Sequence, residues 1–422
     1  MRLRFMANFI NIKELFTPNI SNNLVNKTKG DRVIWGIVVI LTLISLLVVY
    51  SSTGSLAYKY SKSTESYLFK QFGFIILGLL VIYFAHRVNY TIYARVAKIL
   101  FLVSIPLMIY TLLFGSSLNS ASRWITLPVI NMTMQTSDLA KLALFMYLSL
   151  QLSRKQAVIK DFKKGFLPVI IPVVIICALI APANLSTALL VGATSFMLMF
   201  IGRVRTKHIL ASLGIALIPI SLLLILAVST YDKKNHKTKE FPAILDVARV
   251  KTWVGRIQTF MYATKEDESD KSYQINQAKI AIASGGFLGR GPGNSEARNF
   301  LPHSYSDFIY AIIIEEYGLF GAAFMIFIYL LFLHRCIRLY RKCPFAFGAF
   351  LALALSFTLV IQAIANMGVA VNVFPNTGVT LPLVSMGGSS FLFTCLSIGI
   401  ILSVARNVEQ LEGKNQPVIA AE

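Results

Sequence analysis

The sequence predicts an all-α polytopic membrane protein, and three observations carry that prediction. Of 422 residues, 56% are hydrophobic and only 14% are charged, against about 25% charged in soluble domains. Apolar runs recur along the chain, most of them near the roughly 20 residues that cross a hydrocarbon core. The basic residues are divided unevenly among the segments between those runs. A net charge of +21 would point to nucleic acid in a soluble protein. Here it asks which side of a bilayer the Lys and Arg side chains occupy, and no nucleic-acid partner is expected.

Ten spans are expected, at 33–53, 69–86, 97–115, 138–153, 166–182, 184–202, 209–229, 306–334, 345–372 and 388–405. An even number puts both termini on one side. The candidate inner segments 1–32, 86–98, 154–164, 202–208, 334–342 and 405–422 hold most of the 40 Lys and Arg, whereas the short outer loops carry only Lys59, Lys62, Lys70 and Arg123. The asymmetry sets both termini in the cytoplasm. A membrane domain (33–405) therefore lies between cytoplasmic tails at 1–32 and 406–422. The polar, Asn-rich start carries no cleavable signal, so the first run is an uncleaved anchor. Cys177, Cys336, Cys343 and Cys395 form no CxxC pair, so neither a zinc site nor a disulfide framework is expected.

One long segment, 230–305, falls outside as the fourth outer loop. In Asp246–Met261, Val247, Val250, Trp253, Val254, Ile257 and Phe260 recur at helical spacing with Arg249, Lys251 and Arg256 between them. This is an amphipathic helix lying on the outer surface, and Tyr273–Ser284 is a second helix candidate. The acidic run EDESD (266–270) reads as a solvated turn. GGFLGRGPGNS (285–295) has five glycines in nine residues but lacks the Gly-Lys-Ser/Thr ending of a nucleotide loop. Two readings stand: amides beside Arg290 that cradle a phosphate, or a hinge between surface helices.

Polar residues at membrane depth need a reason. Asp138 and Lys141 open the fourth span on one helix face. Gln362 and Asn366 share a face late in the ninth. NVFPNTGVTLPLVSMGGSS (372–390) is a re-entrant loop candidate, since irregular backbone survives in a bilayer only where protein or water covers it. In LPHSYSDFIYAIIIEEYG (301–318) a polar loop becomes an apolar helix with Asp307 at the junction. Locally, Ser306 and Asp307 fit a helix cap. A functional carboxylate is the alternative.

Six blocks, in order along the chain, resemble the SEDS family of cell-wall proteins (shape, elongation, division and sporulation), which includes FtsW and RodA. They are SASRWI (120–125), QTSDLAKLAL (135–144), PANLSTAL (182–189), YQINQAKIAI with GGFLGRGPGNS (273–295), residues 301–318, and NMGVAVNVFPNTGVTLPLVSMGGSS (366–390). The run R-x5-G-R-I-x2-F (249–260) and the NMGVAVNVFP block lean to the FtsW branch over RodA. The resemblance implies ten transmembrane helices, a large fourth outer loop, and polymerisation of lipid II into peptidoglycan at the outer face of the inner membrane, at the division septum for an FtsW-like chain. It also implies a class B penicillin-binding transpeptidase and other divisome or elongasome proteins as partners. Where the family usually has Asp, Gly, Glu and Tyr, this chain has Asn184, Ser186, Asp138 and Met386, which weakens any claim that those positions do chemistry.

Joining lipid II units places the 4-hydroxyl of one sugar on the anomeric carbon of the next, with inversion, and expels a lipid-linked diphosphate. A neutral hydroxyl needs a base, and a carboxylate with an ordinary pKa of about 4 is ionised at neutral pH. The resemblance assigns that carboxylate to Asp307. Diphosphate leaves without an acid, unlike most glycoside hydrolysis, but requires positive charge. Arg123 and Lys141 are the candidates, with Arg256 or Arg290 closing from the loop. Trp124 suits a sugar face or an interfacial anchor, and Gln277 belongs to the same substrate-binding set. Ser385, Gly387, Gly388 and Ser389 are expected to line one wall, where small residues allow close approach. Asp138, Glu315 and Glu316 are expected to be structural, the last two about 12–13 Å along a helix from Asp307. A divalent cation (Mg2+ or Mn2+) would suit the diphosphate, although no compact ligand cluster is visible. The rival readings are a RodA-type elongation polymerase, a lipid II flippase or transporter, and a scaffold without chemistry of its own.

Overall fold

The computed structural model describes residues 30–54, 63–118, 121–127, 132–232, 237–238, 248–262, 270–301 and 304–414. The expected EDESD turn lies almost wholly outside these residues, as does most of each tail. Among the described residues are twelve α-helices. They are α1 (Arg32–Ser52), α2 (Thr64–Arg87), α3 (Tyr90–Phe114), α4 (Thr136–Arg154), α5 (Leu167–Ile180), α6 (Leu185–Ile201), α7 (Thr206–Ser229), α8 (Ala248–Tyr262), α9 (Asp270–Gly285), α10 (Ile309–Lys342), α11 (Ala346–Ala370) and α12 (Gly388–Lys414).

Each of the ten apolar stretches read from the sequence carries one of these helices, while α8 and α9 occupy the long loop. Eight helical stretches are long and apolar enough to cross a membrane. The other two are α6, which at 17 residues is short, and α4, whose Asp138, Lys141 and Gln151 dilute its apolarity. The protein is thus a helical polytopic membrane protein. Large apolar side chains stay exposed along α2, α3 and α7, for example Phe84, Leu113 and Ile218, and a bilayer supplies the contacts that water would deny them.

Not all is helix. A three-stranded antiparallel sheet, β1 (Ser116–Leu118), β2 (Ala121–Leu127) and β3 (Met132–Gln135), fills the loop between α3 and α4. Its register sets Trp124 opposite Gln135. The strands are too short for a period-2 pattern to stand out between two apolar runs. A two-stranded ribbon, β4 (Tyr231–Asp232) and β5 (Lys237–Thr238), follows α7.

The core is centred on α11, buried along most of its length between α10 and α4. On the other flank α12 lies along α2, close enough that a Cβ on Gly399 would meet that of Ala85 at 2.6 Å. Helix ends follow local chemistry. Asp31 caps α1 through the amides of Val33 and Ile34, at 2.9 and 3.4 Å, and holds Arg335 of α10 in a two-pronged pair at 2.9 and 3.0 Å. Asn184 caps α6 through the amide of Thr187.

Helix α10 is broken at Gly318, whose φ of 65° and ψ of −162° suit glycine alone. The stretch 319–342 beyond the break is about 36 Å long at 1.5 Å per residue, enough by itself to cross. The glycine-rich segment docks on the break. The amides of Arg290 and Gly291 donate to the carbonyls of Glu315 and Glu316 at 2.9 and 3.0 Å, and Leu319 donates to Gly286 at 3.0 Å. A Cβ on Gly318 would lie 2.3 Å from the Phe287 carbonyl. The segment is therefore a brace for a kinked helix, and two of its amides are already engaged.

Candidate active site

Asp307 lies in a turn at 304–308, one residue before Phe308, which holds the cap position of α10 and makes no side-chain cap bond. Asp307 thus carries its carboxylate one residue ahead of the helix's cap position. Its side chain is half-buried. One carboxylate oxygen faces Gly378, 3.7 Å from where a Cβ would stand. Gly378 has φ of 64°, a turn geometry that glycine adopts without strain.

Three residues hold that turn. Asn366 of α11, fully buried, donates to the backbone carbonyl of Asp307 at 3.0 Å and to that of Val379 at 2.7 Å. Ser385 donates to the carbonyl of Ser306 at 2.7 Å, and the amide of Met386 donates to Tyr305 at 3.0 Å. The irregular segment 372–390 is packed inside the protein, with Leu381, Leu383 and Val384 buried. Side-chain donors satisfy its carbonyls in series: Asn366 at Val379, Gln362 at Thr380, Tyr329 at Pro382 and Ser45 at Val384. That answers the requirement that buried backbone find partners.

From the long loop, Arg256 of α8 donates to the carbonyl of Asn376 at 3.1 Å. Asn376 accepts from the amide of Gly378 and donates to Gln274 of α9 at 3.4 Å. Arg256, Gln274 and Asn376 thus gather beside Asp307. Sequence reasoning singles out Arg256 but neither Gln274 nor Asn376. The signal for Asn376 is Asn-Thr-Gly itself, an Asx-turn pattern before a positive-φ glycine. Gln277 is half-buried on α9, one turn from Gln274.

Lys141 pairs with Asp138 at 2.8 Å and not with Glu315 or Glu316. The pair opens onto a narrow cleft between α4, α11 and α12, with Gln362, Ser390, Phe145, Leu359 and Phe393 in its lining. Gln362 is one helical turn from Asn366, so this cleft and the Asp307 turn share the α11 face. A second, small cleft is lined by Arg123, Asn184, Gln135 and Ser137. Arg123 donates to the Ala183 carbonyl at 2.7 Å and ties β2 to the α5–α6 turn, while Trp124 is half-buried in the same strand.

The remaining candidates make contacts within the protein. Arg290 is exposed and pairs with Glu296 at 2.8 Å and Glu315 at 3.9 Å. Its hydrogen bond to Glu296 and the nearby carboxylates hold the guanidinium above the ordinary arginine pKa. Glu315 accepts from Ser295 at 2.5 Å and from the amides of Glu296 and Ala297 at 3.1 and 3.3 Å. Glu316 accepts from Ser51, whose carbonyl accepts from Arg298 at 3.2 Å. Ser385 also accepts from Leu381, and Ser389 accepts from the amide of Gln135 at 3.2 Å, so both hydroxyls are engaged by backbone. A Cβ on Gly387 would strike Ser390 at 2.6 Å, as close approach demands. At Gly388 it would meet nothing within 4 Å, so that glycine lines no tight wall. Among the described residues no three His, Cys, Asp or Glu side chains converge as metal ligands.

Comparison with known proteins agrees with this architecture. The family model for the FtsW, RodA and SpoVE cell cycle proteins matches residues 31–410. A probable peptidoglycan glycosyltransferase FtsW of Trichlorobacter lovleyi is 30% identical over 91% of this chain and 96% of its own. One from Geobacter sulfurreducens is 30% identical over 93% and 99%. Among solved structures, a chain of a peptidoglycan synthase complex superposes with a TM-score of 0.68 at 23% identity, covering 90% of this chain and 99% of that one. The rod shape determining protein RodA of Thermus thermophilus gives 0.61 at 23% identity, covering 90% and 97%. The chain therefore belongs to the FtsW, RodA and SpoVE family of cell cycle proteins.

Proposed function

We propose that the protein is a peptidoglycan glycosyltransferase that polymerises lipid II at the outer face of the inner membrane, with Asp307 as general base. The observation that carries the proposal is the setting of Asp307. It is a half-buried carboxylate held outside its helix, faced by a glycine and flanked by a loop that brings Arg256. The names of the FtsW relatives support the reaction class. In this reading α1–α7 and α10–α12 make ten crossings, and α8 and α9 lie outside.

In the step, the acceptor sugar's 4-hydroxyl gives its proton to the Asp307 carboxylate as its oxygen bonds the anomeric carbon of the donor. The bond from that carbon to the diphosphate oxygen breaks on the opposite face, and the configuration inverts. The electron pair leaves with the diphosphate, whose charge needs cations in a site partly shielded from water. Arg256 and Lys141 meet this need from two directions, with Arg123 at the second cleft. A lysine balanced by Asp138 stays in place until an anion arrives.

The synthase-complex neighbour supports a transpeptidase partner, and the FtsW names favour septal synthesis. A tagged copy found at mid-cell supports that role, and one along the side wall assigns it to elongation. Asp307→Asn, nearly isosteric, is expected to fold and to abolish lipid II polymerisation in liposomes. A variant that keeps most of its turnover removes Asp307 from the reaction. Glycan chains made by the wild type in the same assay exclude a flippase or scaffold that lacks chemistry.

A further inference from the structure

At the end of the bundle opposite Asp307, three helices bring together cationic groups that, among the described residues, no carboxylate pairs, Arg87 donating only to the hydroxyl of Tyr83 at 2.7 Å. His86 and Arg87 end α2, Trp35 stands in the first turn of α1, and Arg406 projects from α12. The elements are fastened there. Ser403 donates to the Val88 carbonyl, and the amide of Gly30 donates to Glu409 at 2.7 Å. The rings of Trp35 and His86 are 5.5 Å apart, edge to face. Arg87 lies over Tyr83, 5.0 Å from the ring centre, and Arg406 is within Coulombic reach of both Arg87 and His86.

The polar accounting at this spot is unusual. The indole nitrogen of Trp35 and Nε of Arg406 are buried and unpartnered, while the fully buried His86 has the backbone carbonyls of Ile82 and Tyr83 on its own helix beside its ring. The acids nearby are engaged elsewhere, Asp31 with Arg335 and Glu409 with Gly30. Among the described residues neither Arg87 nor Arg406 forms an ion pair. Two like charges within reach of each other, beside buried donors, are stabilised by an anion that accepts from them all.

We infer that Arg87 and Arg406, with Trp35 beside them, form a binding site for the phosphate of an anionic phospholipid headgroup. The level fits, since α1 begins at Arg32 and α2 ends at Arg87, where headgroups meet helix ends. Tyr83 and Trp35 are aromatic side chains of the kind that line this interface. Below them Leu77, Leu80 and Phe84 are exposed in one row on α2, at 44%, 47% and 61%. That row gives an acyl chain a track continuous with the cations. A free phosphate would use the cations and leave the track unused.

Native mass spectrometry of the purified full chain tests the site. Phosphatidylglycerol and phosphatidylcholine with identical acyl chains are offered at equal concentration, and inorganic phosphate is offered separately in excess. The wild type is expected to retain one phosphatidylglycerol in preference to phosphatidylcholine. Retention should fall about fivefold for each guanidinium removed in Arg87→Gln and Arg406→Gln, the effect of one interfacial cation. Arg338→Gln, an exposed cation on α10, should retain the lipid like the wild type. If the double variant does not fold, Trp35→Phe, which removes one donor, should lower retention alone. Equal retention of the two lipids, an unaffected double or Trp35 variant, or displacement of the lipid by inorganic phosphate overturns the inference.

Discussion

Replacing Asn366 with leucine separates the support of Asp307 from ordinary core stability. The Asn366 amide nitrogen donates to two carbonyls, Asp307 at 3.0 Å and Val379 at 2.7 Å. Leucine removes both donors, and each orphaned buried carbonyl costs about 1–3 kcal/mol. One term offsets this. The Asn366 side-chain oxygen is itself buried without a partner, so its removal returns about 1–3 kcal/mol. Leucine is branched like asparagine but bulkier, and overpacking a fully buried position adds about 1–3 kcal/mol. The net loss of stability is therefore about 2–6 kcal/mol. Turnover should fall independently of that loss, because freeing the Asp307 carbonyl lets the carboxylate drift, and a misplacement of about 1 Å can cost 10²-fold. Thermal unfolding in detergent and lipid II polymerisation in liposomes read the two effects on one preparation. A variant that unfolds earlier yet polymerises at the wild-type rate would refute the link between Asn366 and the position of Asp307. One with unchanged stability and turnover would refute the hydrogen-bond reasoning itself.

Two further perturbations test the framework. Gly318→Ala puts a Cβ 2.3 Å from the Phe287 carbonyl at a φ of 65°. It should cost roughly 3 kcal/mol or more, from backbone strain and the lost brace together, and appear as early thermal unfolding, whereas Gly388→Ala, open on all sides, should change the unfolding temperature little. Lys141→Met leaves Asp138 buried at 7% side-chain exposure with no counter-ion, so it should lower both stability and polymerisation. Adding Asp138→Asn should restore the unfolding temperature but not polymerisation; recovery of both would make Lys141 a structural cation only.

The helices were legible because a bilayer demands long apolar runs, and composition alone exposes those. The helical spacing of Val250, Trp253, Val254, Ile257 and Phe260 likewise located α8 within two residues where the chain is described. The small β-sheet was not legible, since strands of three to seven residues offer too little alternation to compete with the flanking runs. The glycine-rich segment showed its composition but not its use. Five glycines in nine residues suit an anion cradle or a tight brace equally well, and only contact with Glu315, Glu316 and Gly318 decides which. Asp307 was visible as a polar residue where apolar sequence begins. Its neighbours Gln274 and Asn376 were not, because they come from segments 102 residues apart, and local reading has no access to that juxtaposition.

The supports of Asp307 differ in stiffness, and that difference bears on how the site works. On the membrane side, Asn366, Gln362, Tyr329 and Ser45 donate into four carbonyls of 379–384 from buried positions on α11, α10 and α1. Leu383 is held there at a φ of 62°, a strained geometry that persists only where its surroundings over-determine it. Gly318 and its glycine-rich brace fix the first turns of α10 in the same way. On the loop side, α8 reaches this region through Arg256 on the Asn376 carbonyl, and α9 through a longer bond from Asn376 to Gln274. Both bonds end on the one residue that shapes the Gly378 turn facing Asp307. Displacing α8 or α9 therefore acts on the carboxylate's surroundings through Asn376 before it disturbs the buried ladder beneath. Asn376→Ala keeps the carbonyl that Arg256 reaches but removes the side-chain bonds to Gln274 and the Gly378 amide. It should accordingly reduce polymerisation while leaving the unfolding temperature within a few degrees of the wild type, since each lost bond is part-buried and worth about 1 kcal/mol. Equal loss of both properties would mean that the loop helices and the ladder form one rigid unit.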